Sequence, residues 1–464
     1  MILKKNKIAV NNYLIFILLI IHFTINIAIY FNTSTFYEIS DCDAVFDAYY
    51  SLLRGVKLLP IAGYFFLTPA YIAFFIHKLT GGGLFYYFIF QIFLSTVNVY
   101  IVYKIILYIT KSINQANAGA LLIVLYSEYS LLGSTFYNHI YETFFLSAFL
   151  LLLIIFNDRK KTRDIVFYSV LILLIIYFSM FFRRTFIFIY LIFIFLLLLN
   201  TKDRINLTKY AVLAVSSFII LFFYNPYKLY NSNYQDSSAT LFWGHTLYGG
   251  LGGEGSFVYP ENEERYNKRL EQYVKLNKID TVTQEVIEQF RIAEIKTFIK
   301  NEPHKWLLLQ AQKVFYTFGS VPQRDGLLML YRGKIKMPWE ISALILQLPY
   351  AILLIMFLLS VDLKYKNILM DSYKRIIYFM GLYLIGGICI FSAYQEKYRP
   401  VIFVCFFIPV IAVNLNKLKN ILHKENRREL IIKLIIILLL FTVWIYQAYQ
   451  ALYIYHDRYF KVVQ

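Results

Sequence analysis

Long apolar runs constrain the fold of this chain more than any other feature of its sequence. The clearest of them cover residues 8–30, 85–103, 165–182 and 431–449. About 18 apolar residues suffice to cross a bilayer as a helix. Lipid tolerates only helices and closed barrels, because backbone polar groups must be paired there. Since 59% of the residues are hydrophobic and only 16% are charged, the sequence predicts an all-α polytopic membrane protein.

The apolar pattern predicts about eleven transmembrane helices. We expect them at about residues 8–30, 84–108, 116–133, 139–156, 165–182, 185–199, 210–224, 341–360, 375–393, 400–415 and 431–450. A short apolar piece at residues 64–79 is either a further span or a helix lying in the membrane interface. Only the interfacial interpretation places the basic loop at residues 159–163 in the cytoplasm, where basic loops are favoured. We therefore predict an interfacial helix.

The net charge of +18 bears on which partners the chain can have. Such a charge would suit nucleic acid, but the basic residues cluster in short loops between apolar runs, which is the signature of membrane orientation. No nucleic-acid partner is therefore predicted. Lys4, Lys5 and Lys7 precede the first run and place the N-terminus in the cytoplasm. We expect an integral protein of the bacterial plasma membrane with a functional site that faces outside.

The spacing of the apolar runs predicts three parts of the chain. Residues 1–224 form a transmembrane module with an acidic first outer loop at 31–83. Residues 225–340 form an extracytoplasmic insertion, and residues 341–464 form the C-terminal transmembrane helices. Amphipathic helices are predicted within the insertion, at residues 282–300 and 306–318.

Three carboxylates in the first outer loop are the strongest candidates for chemistry. Asp41, Asp43 and Asp47 lie close together in the sequence, and Asp43 and Asp47 would share one face of a helix. A carboxylate beside a membrane is costly unless it faces water or a partner. It can act there as general base towards an acceptor hydroxyl, or hold a metal ion. The alternative is a solvated helix start, where Asp is favoured as a cap.

A second candidate pair opens the apolar span at residues 139–156. His139 and Glu142 would share one face of a helix near the outer surface. They could bind a metal ion or place an acid beside a substrate, although two ligands without a clear third disfavour the metal. The alternative is that both side chains reach into the polar interface.

Two basic clusters lie where the predicted topology places the outer surface. Arg183 and Arg184 sit between two apolar spans. A guanidinium suits phosphate because its planar fork donates paired hydrogen bonds, and the alternative is a lipid-headgroup anchor. The second cluster is a compact turn whose mix of acidic, basic and aromatic residues suits a polar substrate headgroup. The alternative is a plain turn in the membrane interface. It contains Tyr394, Gln395, Glu396, Lys397, Tyr398, Arg399 and Pro400.

Several short segments of this chain occur in an order that is known from one superfamily. In chain order they are Asp41-Cys42-Asp43-Ala44-Val45-Phe46 with Gly55, Gly63-Tyr64-Phe65-Phe66-Leu67-Thr68-Pro69-Ala70-Tyr71, Tyr141-Glu142-Thr143-Phe144, Arg184-Thr185, Asn301-Glu302-Pro303 and Glu396-Lys397-Tyr398-Arg399-Pro400. Their order resembles the glycosyltransferase C superfamily, in particular the family 39 branch of protein O-mannosyltransferases and lipid A aminoarabinose transferases. In this resemblance Asp41 matches the family aspartate, and Thr68 stands where the family has a lysine.

The resemblance implies an inverting hexosyl- or pentosyltransferase that takes its sugar from a polyprenyl-phosphate carrier. The acceptor would be a hydroxyl of a glycan, lipid or protein at the extracytoplasmic face of the membrane. Membrane lipid would be a further partner. Catalytic roles are implied for Asp41, Asp43 and Glu142. Substrate-binding roles are implied for His139, Arg183, Arg184, Glu396, Lys397, Tyr398 and Arg399.

Two further questions are left open by the sequence. No cofactor is firmly implied, although a divalent metal ion would be compatible with the carboxylates. The alternative function is a polysaccharide or lipid transporter, or a polymerase, without this transfer chemistry. A transporter would be expected to carry ionisable groups and broken helices near the middle of the membrane.

Overall fold

The computed structural model describes most of the chain. The described residues are 2–33, 41–56, 67–135, 139–182, 190, 194, 198, 204–223, 263–319, 330, 334–335, 337–361, 372–391, 399–416 and 427–449. Within these ranges the chain forms helices and no β-strand. The predicted span at residues 185–199 lies almost wholly outside them, as do residues 225–262 at the start of the insertion.

The helices are numbered here in chain order. They are α1 (Ile2–Thr33), α2 (Asp41–Leu53), α3 (Leu67–Thr80), α4 (Leu84–Thr110), α5 (Ile113–Val124), α6 (Ser127–Leu132), α7 (His139–Asp158), α8 (Thr162–Ser179), α9 (Arg204–Phe223), α10 (Glu263–Leu276), α11 (Gln284–Asn301), α12 (Pro303–Thr317), α13 (Trp339–Ser360), α14 (Ser372–Phe391), α15 (Arg399–Val413) and α16 (Arg427–Tyr449). Helix α15 contains a π-helical turn at Phe403–Phe407.

Six helices of the described part are long and apolar enough to cross a membrane, namely α1, α4, α7, α8, α13 and α16. Shorter apolar helices lie at Ile113–Val124, Leu207–Ile220 and Arg399–Val413. The all-α membrane class is therefore confirmed, whereas the count of eleven spans is not. All of these helices belong to one compact unit, unit 1, which comprises Met1–Pro226, Ser320–Leu382 and Arg399–Gln464.

Helices α1 and α4 pack side by side in opposite directions. Near the end of α1, the Tyr30 ring lies 5.1 Å from the Phe88 ring near the start of α4. Two turns earlier in α1, His22 Nε2 lies 2.9 Å from Ser95 Oγ, two turns later in α4. The chain between them, including α2 and α3, therefore leaves and re-enters the bundle at the same end. This path is the one predicted for an interfacial segment.

The two ends of unit 1 differ in the helix ends that meet there and in the position of a basic loop. We call the end where α1 ends and α4 begins the site end, and the opposite end the basic end. At the basic end, the hydroxyls of Tyr108 and Tyr373 both donate to Asp158 Oδ2, which joins the ends of α4 and α7. Because α4 and α7 end together, His139 starts α7 at the site end. The exposed basic loop between α7 and α8 lies at the basic end.

Two buried lysines complete the basic end by capping helices. Lys209 Nζ donates to the backbone carbonyls of Phe156 and Arg159 at the end of α7. Lys433 Nζ donates to the carbonyls of Leu359 and Val361 at the end of α13, each at 2.7 Å. The last carbonyls of a helix have no intrahelical partner, and a cation is favoured beside them. Both lysines therefore stabilise helix ends that apolar side chains could not satisfy.

A seam of polar side chains holds α1, α4 and α6 together inside the apolar bundle. Besides the His22–Ser95 contact, Asn98 Nδ2 donates to the Tyr129 hydroxyl at 2.9 Å. The rings of His22 and Tyr129 stack with centroids 5.8 Å apart. All four residues are buried. In lipid, hydrogen bonds between helices fix one packing arrangement, because apolar contact with a neighbour is little better than contact with lipid.

The continuous span predicted at residues 116–133 is wrong. Helix α5 ends at Val124, and Tyr126 is extended (φ −84°, ψ 92°) before the six-residue α6 begins. The Tyr126 ring packs on Phe403, with centroids 5.2 Å apart, and the Ser127 hydroxyl donates to the Ile345 carbonyl at 2.7 Å. A break in an apolar segment is tolerated where protein groups supply partners, and here Tyr126 is buried against them.

The packing of α15 allows a direct test of the fold. A methyl group on Gly381 would lie 2.2–2.3 Å from three atoms of the Phe406 ring. That ring is enclosed by Phe357 and Tyr378, with centroids at 5.3 and 5.8 Å. We expect Gly381→Ala to cost roughly 1–3 kcal/mol and to lower the midpoint of thermal unfolding in detergent. Gly386→Ala is the control, because nothing lies within 4 Å of its new methyl group; equal midpoints for the two variants would contradict this packing.

The described part of the insertion belongs to a second compact unit, formed by Tyr227–Gly319 and Tyr383–Tyr398. Its helices α11 and α12 lie where helices were predicted at residues 282–300 and 306–318, with Pro303 as the first residue of α12. Arg269 on α10 donates to Glu294 on α11 at 2.6 Å. Beside this ion pair, the rings of Tyr273 and Phe290 lie 5.4 Å apart.

Candidate active site

The acidic segment of the first loop forms a helix that is tied to its neighbour. Asp41 begins α2 and Asp43 lies in its first turn, while Asp47 is an exposed residue of the same helix. On the other face of α2, the Tyr49 hydroxyl lies 3.0 Å from His77 Nδ1 on α3. Burial, and to a lesser extent the neighbouring Tyr50, raises the pKa of Tyr49, so its hydroxyl keeps the proton it can donate. The acids are thus carried by a helix with a fixed partner.

Helix α3 is fixed in turn to the turn that follows α8. Thr68, in the first turn of α3, is buried and its hydroxyl donates to the Phe181 carbonyl. The next ring, Phe182, stacks on Tyr141 of α7 with centroids 4.4 Å apart and planes at 17°. The first turns of α3 and α7 and the end of α8 therefore meet at the site end. Arg183 and Arg184 follow Phe182 directly in the sequence and lie outside the described residues.

The predicted pair at the start of α7 forms a direct contact. His139 Nδ1 lies 2.8 Å from Glu142 Oε2, and both side chains are buried. The Thr143 hydroxyl donates to the His139 carbonyl at 2.6 Å and closes the same turn. A carboxylate is favoured in the first turn of a helix, where the unpaired backbone N–H groups lie. The pair is therefore held in one orientation beside Tyr141 and the turn after α8.

A metal ion was one of the options for these acids. Among the described residues, no group of three or more His, Cys, Asp or Glu side chains is placed to hold one. The His139–Glu142 pair alone gives two ligands, fewer than the three or four protein ligands of typical zinc sites.

Arg399 lies in a buried network that sequence analysis did not predict. Its Nη1 lies 3.4 Å from Glu128 Oε1, and both side chains are 0% exposed. The Tyr126 hydroxyl donates to the other carboxylate oxygen at 2.7 Å. The guanidinium also lies 4.6 Å from the centre of the Tyr350 ring, within range of a cation–π interaction. Arg399 thus faces protein groups inside the bundle, whereas Glu396, Lys397 and Tyr398 lie outside the described residues.

Glu128 is the functional candidate that sequence analysis missed. The signal was present, since Glu128 is a single carboxylate within an apolar stretch, and ionisable residues within the membrane are functional candidates by default. Its partner could not be inferred, because Arg399 lies 271 positions away in the sequence.

The fold and the site together define an all-α membrane protein with an acidic helix and a buried His139–Glu142 pair at the site end. No family model and no curated protein matches the chain. Among solved structures, it is similar to the archaeal oligosaccharyltransferase AglB from Archaeoglobus fulgidus, determined in complex with an inhibitory peptide and a dolichol-phosphate, with a TM-score of 0.44 and 14% identity. The match covers 92% of this chain and 54% of AglB, so the chain spans about half the length of that protein. A likeness of this degree does not assign the chain to a family.

Proposed function

We propose that the protein is an integral membrane glycosyltransferase that moves a sugar from a polyprenyl-phosphate carrier to a hydroxyl acceptor at the extracytoplasmic face. One observation carries the proposal. Contacts link the acidic helix α2 to α3, the start of α3 to the turn after α8, and that turn to the first turn of α7, which holds the His139–Glu142 pair. Segments that the sequence singled out separately are thus connected through α3, which supports a common site at the site end.

The reaction is a single displacement at the anomeric carbon. The acceptor oxygen forms a bond to that carbon as the bond from the carbon to the phosphate oxygen breaks, which inverts the configuration. Asp41 or Asp43 takes the acceptor's proton as general base. The bond electrons leave with the polyprenyl phosphate, so no acid is needed to protonate the leaving group. Positive groups at the phosphate then stabilise the transition state as its charge grows.

The remaining groups bind the two parts of the donor. Arg183 and Arg184 supply the positive charge at the phosphate. The His139–Glu142 pair is buried and held in one orientation, and it holds sugar hydroxyls beside the reacting carbon. The prenyl tail lies along the exposed apolar face of α8, which leads towards Arg183. That face consists of Phe167, Val170, Leu174 and Phe178.

A comparison of glycans tests the proposed function in the cell. The source organism is grown with and without this chain, and its envelope glycans, lipids and glycoproteins are profiled by mass spectrometry. We expect one sugar to be missing from one acceptor class in the cells without the chain, and a polyprenyl-phosphate sugar to accumulate. Unchanged profiles with no accumulated carrier would contradict the proposal.

The predicted orientation has a separate test by cysteine labelling. Lys161 lies in the exposed loop at the basic end, and Thr80 ends α3 at the site end. In intact cells that produce the chain with Cys42 and Cys389 replaced by serine, an impermeant thiol reagent is expected to label Thr80→Cys and to leave Lys161→Cys unlabelled. Permeabilised cells serve as the control, since both positions should then react. Labelling of Lys161→Cys in intact cells would place the basic end outside.

One observation favours the alternative function, a transporter of lipid or polysaccharide. The break between α5 and α6 and the buried Glu128–Arg399 pair are features expected of transporters. The two functions differ in their product. A transferase consumes the carrier-linked sugar and releases free polyprenyl phosphate, whereas a transporter moves an intact lipid across the membrane.

A further inference from the structure

The buried Glu128–Arg399 pair takes no part in the reaction described above. Both carboxylate oxygens of Glu128 are engaged, one by Arg399 and the other by the Tyr126 hydroxyl. The guanidinium of Arg399 also stands over the Tyr350 ring. The pair thus joins α6, α13 and the first residue of α15, helices that the sequence places far apart.

Such a pair is costly to bury, which makes its position informative. Removing two charges from water costs several kcal/mol per ion unless attraction and hydrogen bonds offset it, and breaking the pair leaves an uncompensated charge inside the protein. Apolar side chains could fill the same space at no such cost. A pair of this kind instead fixes the position of the helix that carries it relative to its neighbours, here at the start of α15.

Helix α15 also contacts α7 directly, about one and a half turns further along. The π-helical turn of α15 contains Cys405, and π-helical turns occur frequently at functional sites. The Cys405 thiol donates to the Thr143 carbonyl at 3.7 Å and lies 3.5 Å from the Ser147 hydroxyl. Thr143 in turn donates to the His139 carbonyl. A continuous chain of contacts therefore runs from Glu128 through α15 to the first turn of α7.

We propose that Glu128 is a positioning residue for sugar transfer, which acts through Arg399 and the π-helical turn of α15 on the His139–Glu142 pair. This role rests on the proposed function, because it assigns Glu128 to the same site. Glu128 touches no reacting atom. Its loss releases the start of α15, shifts the π-helical turn away from α7 and disturbs the orientation of Glu142.

The experiment measures the packing of α15 and the activity separately. In full-length protein in which Cys42 and Cys389 are serine, Cys405 is the only thiol, and its alkylation by N-ethylmaleimide reports on the α15–α7 contact. Glu128→Gln is compared with the parent protein. The double variant Glu128→Gln with Arg399→Gln leaves no buried charge in this network and serves if the single variant fails to fold. Lys433→Met is the control, because it removes a buried charge at the basic end.

We expect both Glu128 variants to fold, to alkylate Cys405 faster than the parent, and to lower kcat for transfer by at least roughly tenfold with little change in KM for the acceptor. Lys433→Met should leave Cys405 protected and kcat unchanged per folded molecule. Cys405 protection equal to that of the parent, or normal kcat with an exposed Cys405, would overturn the positioning role. If the parent itself transfers no sugar, the proposed function fails while the alkylation result still stands.

Discussion

Asp41→Asn and Asp43→Asn are expected to fold normally and to lose sugar transfer, and one of the two is expected to lose far more than the other. An amide has nearly the size of the carboxylate but cannot accept the proton of the acceptor hydroxyl. Loss of a general base typically costs roughly a hundred- to ten-thousandfold in rate. Both residues lie in the first turn of α2, so the helix keeps its packing on α3 through Tyr49. Initial transfer rates per folded molecule are the measurement.

Asp47→Asn is the matched control for these variants. Asp47 lies on the same helix and is exposed, so Asp47→Asn removes the same charge. Asp47 is not part of the segment from Asp41 to Phe46 that carries the resemblance. It should keep near-normal activity. Near-normal activity in both Asp41→Asn and Asp43→Asn would mean that α2 is not the catalytic element.

Arg184→Ala is expected to lower turnover by at least roughly tenfold with folding intact. The two residues before Arg183 are held in place. Thr68 donates to the Phe181 carbonyl, and the Phe182 ring stacks on Tyr141. We therefore expect Arg184 to act close to the His139–Glu142 pair. Charge on the donor phosphate grows as the bond to the sugar breaks, so the contact strengthens in the transition state. Loss of one such charge-assisted contact costs about 2–4 kcal/mol, the scale of an oxyanion-hole donor.

Two further variants separate a phosphate contact from a lipid anchor. Arg184→Lys should recover only part of the rate, because an ammonium cannot donate two parallel hydrogen bonds in one plane. Arg163→Ala removes an exposed charge at the basic end and should leave turnover unchanged. A normal rate of sugar transfer by Arg184→Ala would mean that Arg183 and Arg184 only bind lipid headgroups.

Local patterns in the sequence predicted those parts of the structure that depend on neighbouring residues. The helix expected from the spacing of Asp43 and Asp47 is α2, in which the rings of Phe46 and Tyr50 lie 4.6 Å apart at i and i+4. Spacing also placed His139 and Glu142 on one face of a helix, where the structure shows them in contact. In each case the relevant partner is within one helical turn.

Contacts between distant segments could not be predicted in this way. The apolar pattern around Tyr126 is the same for a continuous and for a broken helix, and the break is stabilised by Phe403 and by the Ile345 carbonyl. Helix α10 was also missed, although its apolar residues Leu270, Tyr273 and Val274 recur at helical spacing among charged residues. It packs on α11 through the Arg269–Glu294 ion pair, a contact that depends on the tertiary fold.

Reconstitution with a defined donor distinguishes a glycosyltransferase from a transporter. The purified full-length chain is incorporated into vesicles with polyprenyl-phosphate hexoses and pentoses labelled in the sugar, and extracts of the source envelope are added as acceptor. We expect release of free polyprenyl phosphate together with label on a non-prenyl product, and both should be lost in the inactive Asp41→Asn or Asp43→Asn variant. Movement of the intact labelled lipid across the vesicle membrane, with no release of polyprenyl phosphate, would contradict it and establish a transporter.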